Sequence, residues 1–233
     1  MRMGIAGWRL DVADELPDAF LDNLTRAVKS VDPDGLVLGE VWEDASNKVA
    51  YSRRRRYLLG KQLDSVTNYP FKDAIIRFAR LGDGENLART VNGIVNNYPG
   101  RVLRNLMNPL STHDTVRALT AVSGEELPGT KDERAEFRLR DPETAKKRLR
   151  LAAALQYTLP GVPCVYYGDE AGMEGCEDPF NRRFYQWENA DRSLTEYFKR
   201  LGKLRTRAEL NGGGIAFLRA GDGLVEFTRG EKL

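Results

Sequence analysis

The chain has 233 residues, 41% of them apolar and 30% charged, which is enough to build a buried core and far from the composition of a disordered tail. Its 36 Lys and Arg against 34 Asp and Glu leave a formal net charge of +2 with the basic residues scattered, so nucleic acid is not indicated as a partner. No stretch approaches the roughly 18 to 20 apolar residues of a membrane span, and Cys164 and Cys176 lack the spacing of a disulfide framework, redox motif or metal site, which fits a reducing cytoplasm.

The chain opens directly on an apolar run, residues 4–12, with no lead-in helix or cap, as a chain starting inside a buried element would. An amphipathic stretch follows at 16–31, closed by Pro33-Asp34-Gly35, and then a second apolar run at 36–42. Strand, helix and strand in that order predict parallel neighbours and an α/β fold. The arginine run Arg53 to Arg56 follows a helical-looking segment and reads as a solvated helix face, with no function assigned. A third strand is expected at 62–69, helices at 71–81 and 87–95, and a fourth strand beginning at 103–106. A long helix is expected at 141–159, a fifth strand at 162–167 and a last helix at 193–209. Residues 168–175, rich in glycine but without a phosphate-loop signature, read as the loop between them. The three glycines at 212–214 break this pattern, and the runs 215–218 and 224–228 around Gly221-Asp222-Gly223 predict a β-hairpin.

Three of the expected strands lead into a carboxylate set among apolar residues: Asp11, Glu40 and Asp114. Burying a charge costs several kcal/mol unless it is paired, so such placements call for a reason. At the C-terminal ends of parallel barrel strands, residues far apart in the chain converge on one cleft. Clustered carboxylates in a cleft suit glycoside hydrolysis. The competing reading of a lone strand-end aspartate is a helix cap or an ion-pair partner.

Gly7-Trp8-Arg9-Leu10-Asp11-Val12-Ala13, Gly39-Glu40-Val41-Trp42 and Ser111-Thr112-His113-Asp114-Thr115 resemble, in order, three active-site segments of the α-amylase superfamily of glycoside hydrolases. The resemblance continues through Ser65-Val66-Thr67-Asn68-Tyr69-Pro70-Phe71, Gly161-Val162-Pro163-Cys164-Val165-Tyr166-Tyr167-Gly168-Asp169-Glu170 and Asp178-Pro179-Phe180-Asn181-Arg182-Arg183. It is strongest to the neopullulanase and cyclomaltodextrinase branch. It implies a retaining double displacement on α-glucosidic bonds of maltodextrin, cyclodextrin or pullulan, with Asp11 as nucleophile, Glu40 as acid/base and Asp114 as transition-state stabiliser. Arg9, two residues before Asp11 on the same strand face, is expected to keep it charged. His113, the only histidine, is expected to bind sugar hydroxyls, and Asp178 and Arg182 resemble substrate-loop residues of the branch. Trp42 and Tyr69 fit sugar-stacking platforms as well as core or rim aromatics, and Arg117 reads equally well as a surface arginine.

The implied fold is a (β/α)8 barrel, of which residues 1–211 supply about the last five units, and residues 212–233 are expected to begin a C-terminal all-β domain. The family's Asn-His segment has no counterpart in the chain, and an open parallel sheet exposes edges, so this chain alone is expected to be poorly soluble or inactive. No cofactor is expected to be required. Calcium is a habit of the resembled family, with its usual ligands expected partly outside this chain. Homodimerisation is common in the resembled branch, through an N-terminal domain outside this chain. A transglycosylase of the same fold and a catalytically silent binding homologue remain alternatives.

Overall fold

The computed structural model describes residues 1, 3–212 and 214–230. Strand β1 (Gly7–Leu10) leads through a 3-10 turn, Ala13–Glu15, into helix α1 (Asp18–Val31) and back to β2 (Leu36–Gly39), parallel to β1 in the register Gly7 to Leu36 through Leu10 to Gly39. Helix α1 turns Leu21, Thr25 and Val28 inward at helical spacing. Gly39 is required by packing: a Cβ there would stand 2.4 Å from Leu63 Cδ1.

No helix joins β2 to the next core strand. The chain instead makes a small hairpin, β3 (Val49–Ala50) with β4 (Arg53–Arg54), before β5 (Ser65–Val66) pairs with β2. The arginine run is therefore not a helix face. Arg53 and Arg54 form the hairpin's second strand, Arg55 is buried with its Nε 3.6 Å from Asp18 Oδ1, and Arg56 binds Asp22 at 2.6 Å.

Helices α2 (Tyr69–Leu81), α3 (Gly84–Asn97) and α4 (Gly100–Arg104) follow, then β6 (Met107–Pro109). The third strand is shorter than expected because Asn68 caps α2 by accepting from Phe71 N, and Pro70 sits in that helix's first turn. The strand expected from residue 103 is displaced. Residues up to Arg104 are helical, with Val102 and Leu106 buried one turn apart, and pairing starts at Met107.

Helices α5 (Ala118–Ser123), α6 (Lys131–Ala135) and α7 (Pro142–Thr158) precede β7 (Val162–Cys164), which lies parallel to β6, and α8 (Arg192–Arg205) and α9 (Ala208–Gly212) follow. The last helix expected from the sequence is thus split in two. A single bridge, Thr67 to Met107, joins β5 to β6, so five parallel strands stand side by side in chain order. The hairpin β8 (Gly214–Gly221) and β9 (Leu224–Gly230) turns at Asp222 and Gly223, both at positive φ, and packs on α3. A Cβ on Gly84 would stand 2.7 Å from Leu224 O, which explains the glycine at that contact.

Buried amides tie together the strands joined by so little ladder. Asn68 Nδ2 donates to Asn108 Oδ1 at 2.8 Å, Asn108 Nδ2 donates to Pro160 O at 2.8 Å, and Gln156 Nε2 donates to Asn108 O at 2.8 Å and Cys164 O at 3.0 Å. Asn108→Ala strands Asn68 Nδ2 and Pro160 O without partners and is expected to destabilise the protein by about 2 to 4 kcal/mol in urea unfolding. A loss below about 0.5 kcal/mol contradicts this role.

Candidate active site

The parallel register of β1 and β2 pairs Leu10 with Gly39, so the residues that leave the two strands, Asp11 and Glu40, emerge side by side. The ladder continues past them, with Glu40 N donating to Leu10 O at 3.0 Å and Ala13 N donating to Glu40 O at 3.1 Å. Between them Val12 adopts a left-handed conformation, φ 44°, unusual for a β-branched residue. That turn frees Asp11 from the strand and aims Val12 N at Glu40 Oε2, 2.9 Å away.

Arg9 spans both carboxylates. Its Nη1 donates to Asp11 Oδ1, and its Nη2 lies 3.0 Å from Glu40 Oε1. The hydrogen bond from Arg9 holds the Asp11 carboxyl below the ordinary carboxylate range, with His113 contributing in the same direction. The two acids differ in setting: the Asp11 side chain is 70% exposed and that of Glu40 only 3%.

Tyr69 completes the surroundings of Glu40. Its hydroxyl donates to Glu40 Oε1 at 3.1 Å, and burial pushes its pKa up to about 12, so it remains a donor at neutral pH. Trp42 lies flat on Tyr69, with ring centroids 4.2 Å apart and planes 6° apart. Tyr69 is buried and Trp42 half-exposed, so of the pair only Trp42 presents a ring to solvent.

Asp114 sits on the loop after β6. Its Oδ2 is 3.1 Å from His113 Nε2 and its Oδ1 is 3.4 Å from Arg182 Nη2, while Arg182 Nε pairs with Asp178 Oδ1 at 2.9 Å and donates to His113 O at 3.0 Å. The same loop lies near the first two acids: Thr112 and Asp114 act on the Tyr69 hydroxyl that binds Glu40, and His113 acts on Asp11. The structure thus brings Arg9, Asp11, Glu40, Trp42, Tyr69, His113, Asp114, Asp178 and Arg182 into one connected cluster.

Several residues that hold this cluster escape sequence reasoning. Asn181, fully buried, donates through Nδ2 to Thr112 O, His113 O and Thr115 O at 3.3, 2.7 and 2.8 Å, clamping the Asp114 loop. Arg117 is not a surface arginine but is 0% exposed. Its Nε donates to Asn181 O at 2.8 Å, and its guanidinium lies over the rings of Tyr166 and Tyr167 at 4.3 and 4.5 Å. Asp169, also buried, accepts from Ser111 Oγ at 2.5 Å and lies 3.5 Å from Arg117 Nη1. Nothing in the periodicity of these residues marks them as buried; their signal is only that they fall within the quoted segments or close to Asp114.

An ionised, accessible carboxylate beside a buried one, with a third carboxylate on a neighbouring loop, can attack and protonate an acetal. Among the described residues no group of three or more His, Cys, Asp or Glu is placed to hold a metal ion, and no helix is long and apolar enough to cross a membrane. A cleft of about 650 Å³ beside Arg54 to Leu59 lies apart from these carboxylates, and its Arg55 and Arg56 are engaged by Asp18 and Asp22.

Burial pushes the Asp169 carboxyl up to about 6, against the pull of the Ser111 hydroxyl and the Arg117 guanidinium. A folded value above the ordinary one makes the group's contribution to stability complete below about pH 4 and lost as pH rises through about 6. The unfolding free energy of the wild type minus that of Asp169→Asn is therefore expected to fall by up to about 3 kcal/mol between pH 4 and pH 7 in denaturant titrations. A flat difference contradicts it.

The family model for the alpha-amylase catalytic domain matches residues 1–208. Neopullulanase 2 of Thermoactinomyces vulgaris is 39% identical over 220 residues, which are 92% of this chain and 33% of that protein. A cyclomaltodextrinase of a Bacillus species is 34% identical over 222 residues, 93% of this chain and 35% of that protein. The ligand-free structure of the cyclic α-maltosyl-(1→6)-maltose hydrolase from Arthrobacter globiformis superposes with a TM-score of 0.76 at 27% identity, covering 94% of this chain and 44% of that one. The chain spans about a third of the length of these two curated relatives.

Proposed function

The chain belongs to the alpha-amylase catalytic-domain family, and on that premise we propose that it carries the catalytic carboxylates of a retaining glycoside hydrolase acting on α-glucosidic bonds. The observation that carries this reading is the Arg9 guanidinium shared by Asp11 and Glu40. The names of the relatives, neopullulanase, cyclomaltodextrinase and amylopullulanase, support α-glucans such as pullulan, cyclodextrin and maltodextrin as the substrate class.

In this reading Asp11, ionised and accessible, attacks the anomeric carbon. Glu40, protonated at that stage, gives its proton to the departing glycosidic oxygen. A covalent glycosyl ester on Asp11 results, and the Glu40 carboxylate then takes a proton from the water that opens it, so acid and base are one residue. Asp114 accepts hydrogen bonds from sugar hydroxyls as positive charge develops on the ring. His113, Asp178 and Arg182 fix the same sugar, and Trp42 offers its exposed face to a ring. In the same reading the five parallel strands are about the last five units of a (β/α)8 barrel, residues 1–211 being its C-terminal part, and the β8–β9 hairpin lies in what begins a C-terminal all-β domain, residues 212–233. The chemistry needs no cofactor.

Assays on the protein expressed from its own coding sequence test this. Release of reducing sugar from cyclodextrin or pullulan is expected to fall by at least about 10³-fold in Asp11→Asn and by about 10² to 10⁴-fold in Glu40→Gln. Glu40→Gln is expected to keep most of its activity on α-glucosyl fluoride for the first step, because fluoride leaves without a proton. Proton NMR at early times is expected to show the α-anomer as first product. A β-anomer contradicts the retaining assignment.

A further inference from the structure

Asp11 and Glu40 leave paired strands, whose ladder fixes them. Asp114 has no such support, because β6 ends at Pro109 and the third carboxylate rides on the loop beyond it. That loop is folded on itself, with Thr112 N donating to Thr115 Oγ1 at 2.9 Å and Asp114 N donating to Thr112 Oγ1 at 3.2 Å. These bonds shape the turn but do not set where it stands relative to the first two acids.

The contact that sets it comes from the loop after β7. The carbonyls of Thr112, His113 and Thr115 converge on Asn181 Nδ2, and only a donor can meet three carbonyl oxygens. Asn181 Oδ1 is buried with no hydrogen-bond partner among the described residues, so the amide directs its bonding at the Asp114 loop. Arg182, next in the chain, donates through Nε to the same His113 carbonyl at 3.0 Å. Behind them Arg117 grips main chain on several sides: its N donates to Gly175 O at 3.1 Å, its Nε to Asn181 O at 2.8 Å and its Nη1 to Tyr167 O. The space there is full, since a Cβ on Gly175 would stand 2.6 Å from Phe180 O and 3.1 Å from Arg117 Cγ. Asn181 and Arg117 are both fully buried by this chain's own packing.

We propose that Asn181 and Arg117 are positioning residues of the reaction, joining the loop that carries Asp178 and Arg182 to the loop that carries Asp114, so that Asp114 keeps its place relative to Asp11 and Glu40. The inference rests on the hydrolase reading above. A hydrogen bond from a sugar hydroxyl to Asp114 stabilises the transition state only if the carboxylate is in place when charge develops, and a displacement of about 1 Å costs on the order of 10²-fold in rate. Both residues act through Asp114, and neither meets the sugar.

A double-mutant cycle tests this, read as fluoride release from α-glucosyl fluoride by the protein expressed from its own coding sequence. Asn181→Ala is expected to lower kcat about 10- to 100-fold while KM changes less than about threefold. Asn181→Asp is expected to lose more, because a side chain of the same shape then sets a carboxylate oxygen against three carbonyl oxygens. In an Asp114→Asn background, Asn181→Ala is expected to cost less than about threefold further, since the group it positions is already gone. Arg117→Lys keeps a cation beside Asp169 but loses the Nε donor to Asn181 O; it is expected to lower kcat and to be equally non-additive with Asp114→Asn, and it carries the cycle if Asn181→Ala does not fold. A loss that multiplies in full into the Asp114→Asn background overturns the positioning role, as does a parent-like kcat in Asn181→Ala or loss of the fold in both single variants. Each of these leaves the hydrolase reading intact. Absence of turnover by the parent, or a parent-like kcat in Asp114→Asn, overturns that reading together with the inference.

Discussion

Two carboxylates placed at the ends of adjacent parallel strands repel each other, and the local structure depends on the single cation set between them. Arg9 alternates with Asp11 on one strand face, and the one-to-one register of β1 with β2 carries Glu40 to the same level. The guanidinium fork meets one acid through each terminal nitrogen. A lysine at that position could supply the charge but not the two fixed directions. The left-handed Val12 belongs to the same arrangement, because it both releases Asp11 toward solvent and supplies a backbone N–H to Glu40.

Around this pair the protein builds outward through buried polar contacts rather than through a continuous ladder. Tyr69 binds Glu40 and lies against the Thr112 and Asp114 loop, which Asn181 holds through three carbonyls. Arg117 in turn holds the Asn181 carbonyl while its guanidinium lies over the rings of Tyr166 and Tyr167, with Asp169 as the carboxylate beside it. Buried charges and amides cost free energy unless satisfied, and here each is placed to orient a loop. The position of Asp114 is thereby tied to β7 and the loop that follows it, although neither carries one of the three clustered carboxylates.

The carboxylates were legible in the sequence because an acid following an apolar strand run is costly and therefore conspicuous. The parallel α/β order was legible too, since short apolar runs alternate with amphipathic ones. Element ends were not. The fourth strand was expected from residue 103, but Val102 and Leu106 bury themselves at helical spacing, and only from Met107 does the chain pair. The arginines at 53 to 56 carry no local signal that two of them form a hairpin strand and a third is buried against Asp18. Arg117 and Asn181 are polar residues in irregular segments, whose burial is decided by partners far away in the chain.

The central claim is that Asp11, rather than either of its neighbours, forms the bond to the sugar. Incubation with 5-fluoro-α-glucosyl fluoride, whose ring fluorine slows both steps while fluoride leaves readily, followed by proteolysis and tandem mass spectrometry, tests it most directly. The account predicts a single glycosyl ester mapped to Asp11. An ester on Glu40 or Asp114, or turnover of the reagent with no ester and inversion at the anomeric carbon, would contradict it.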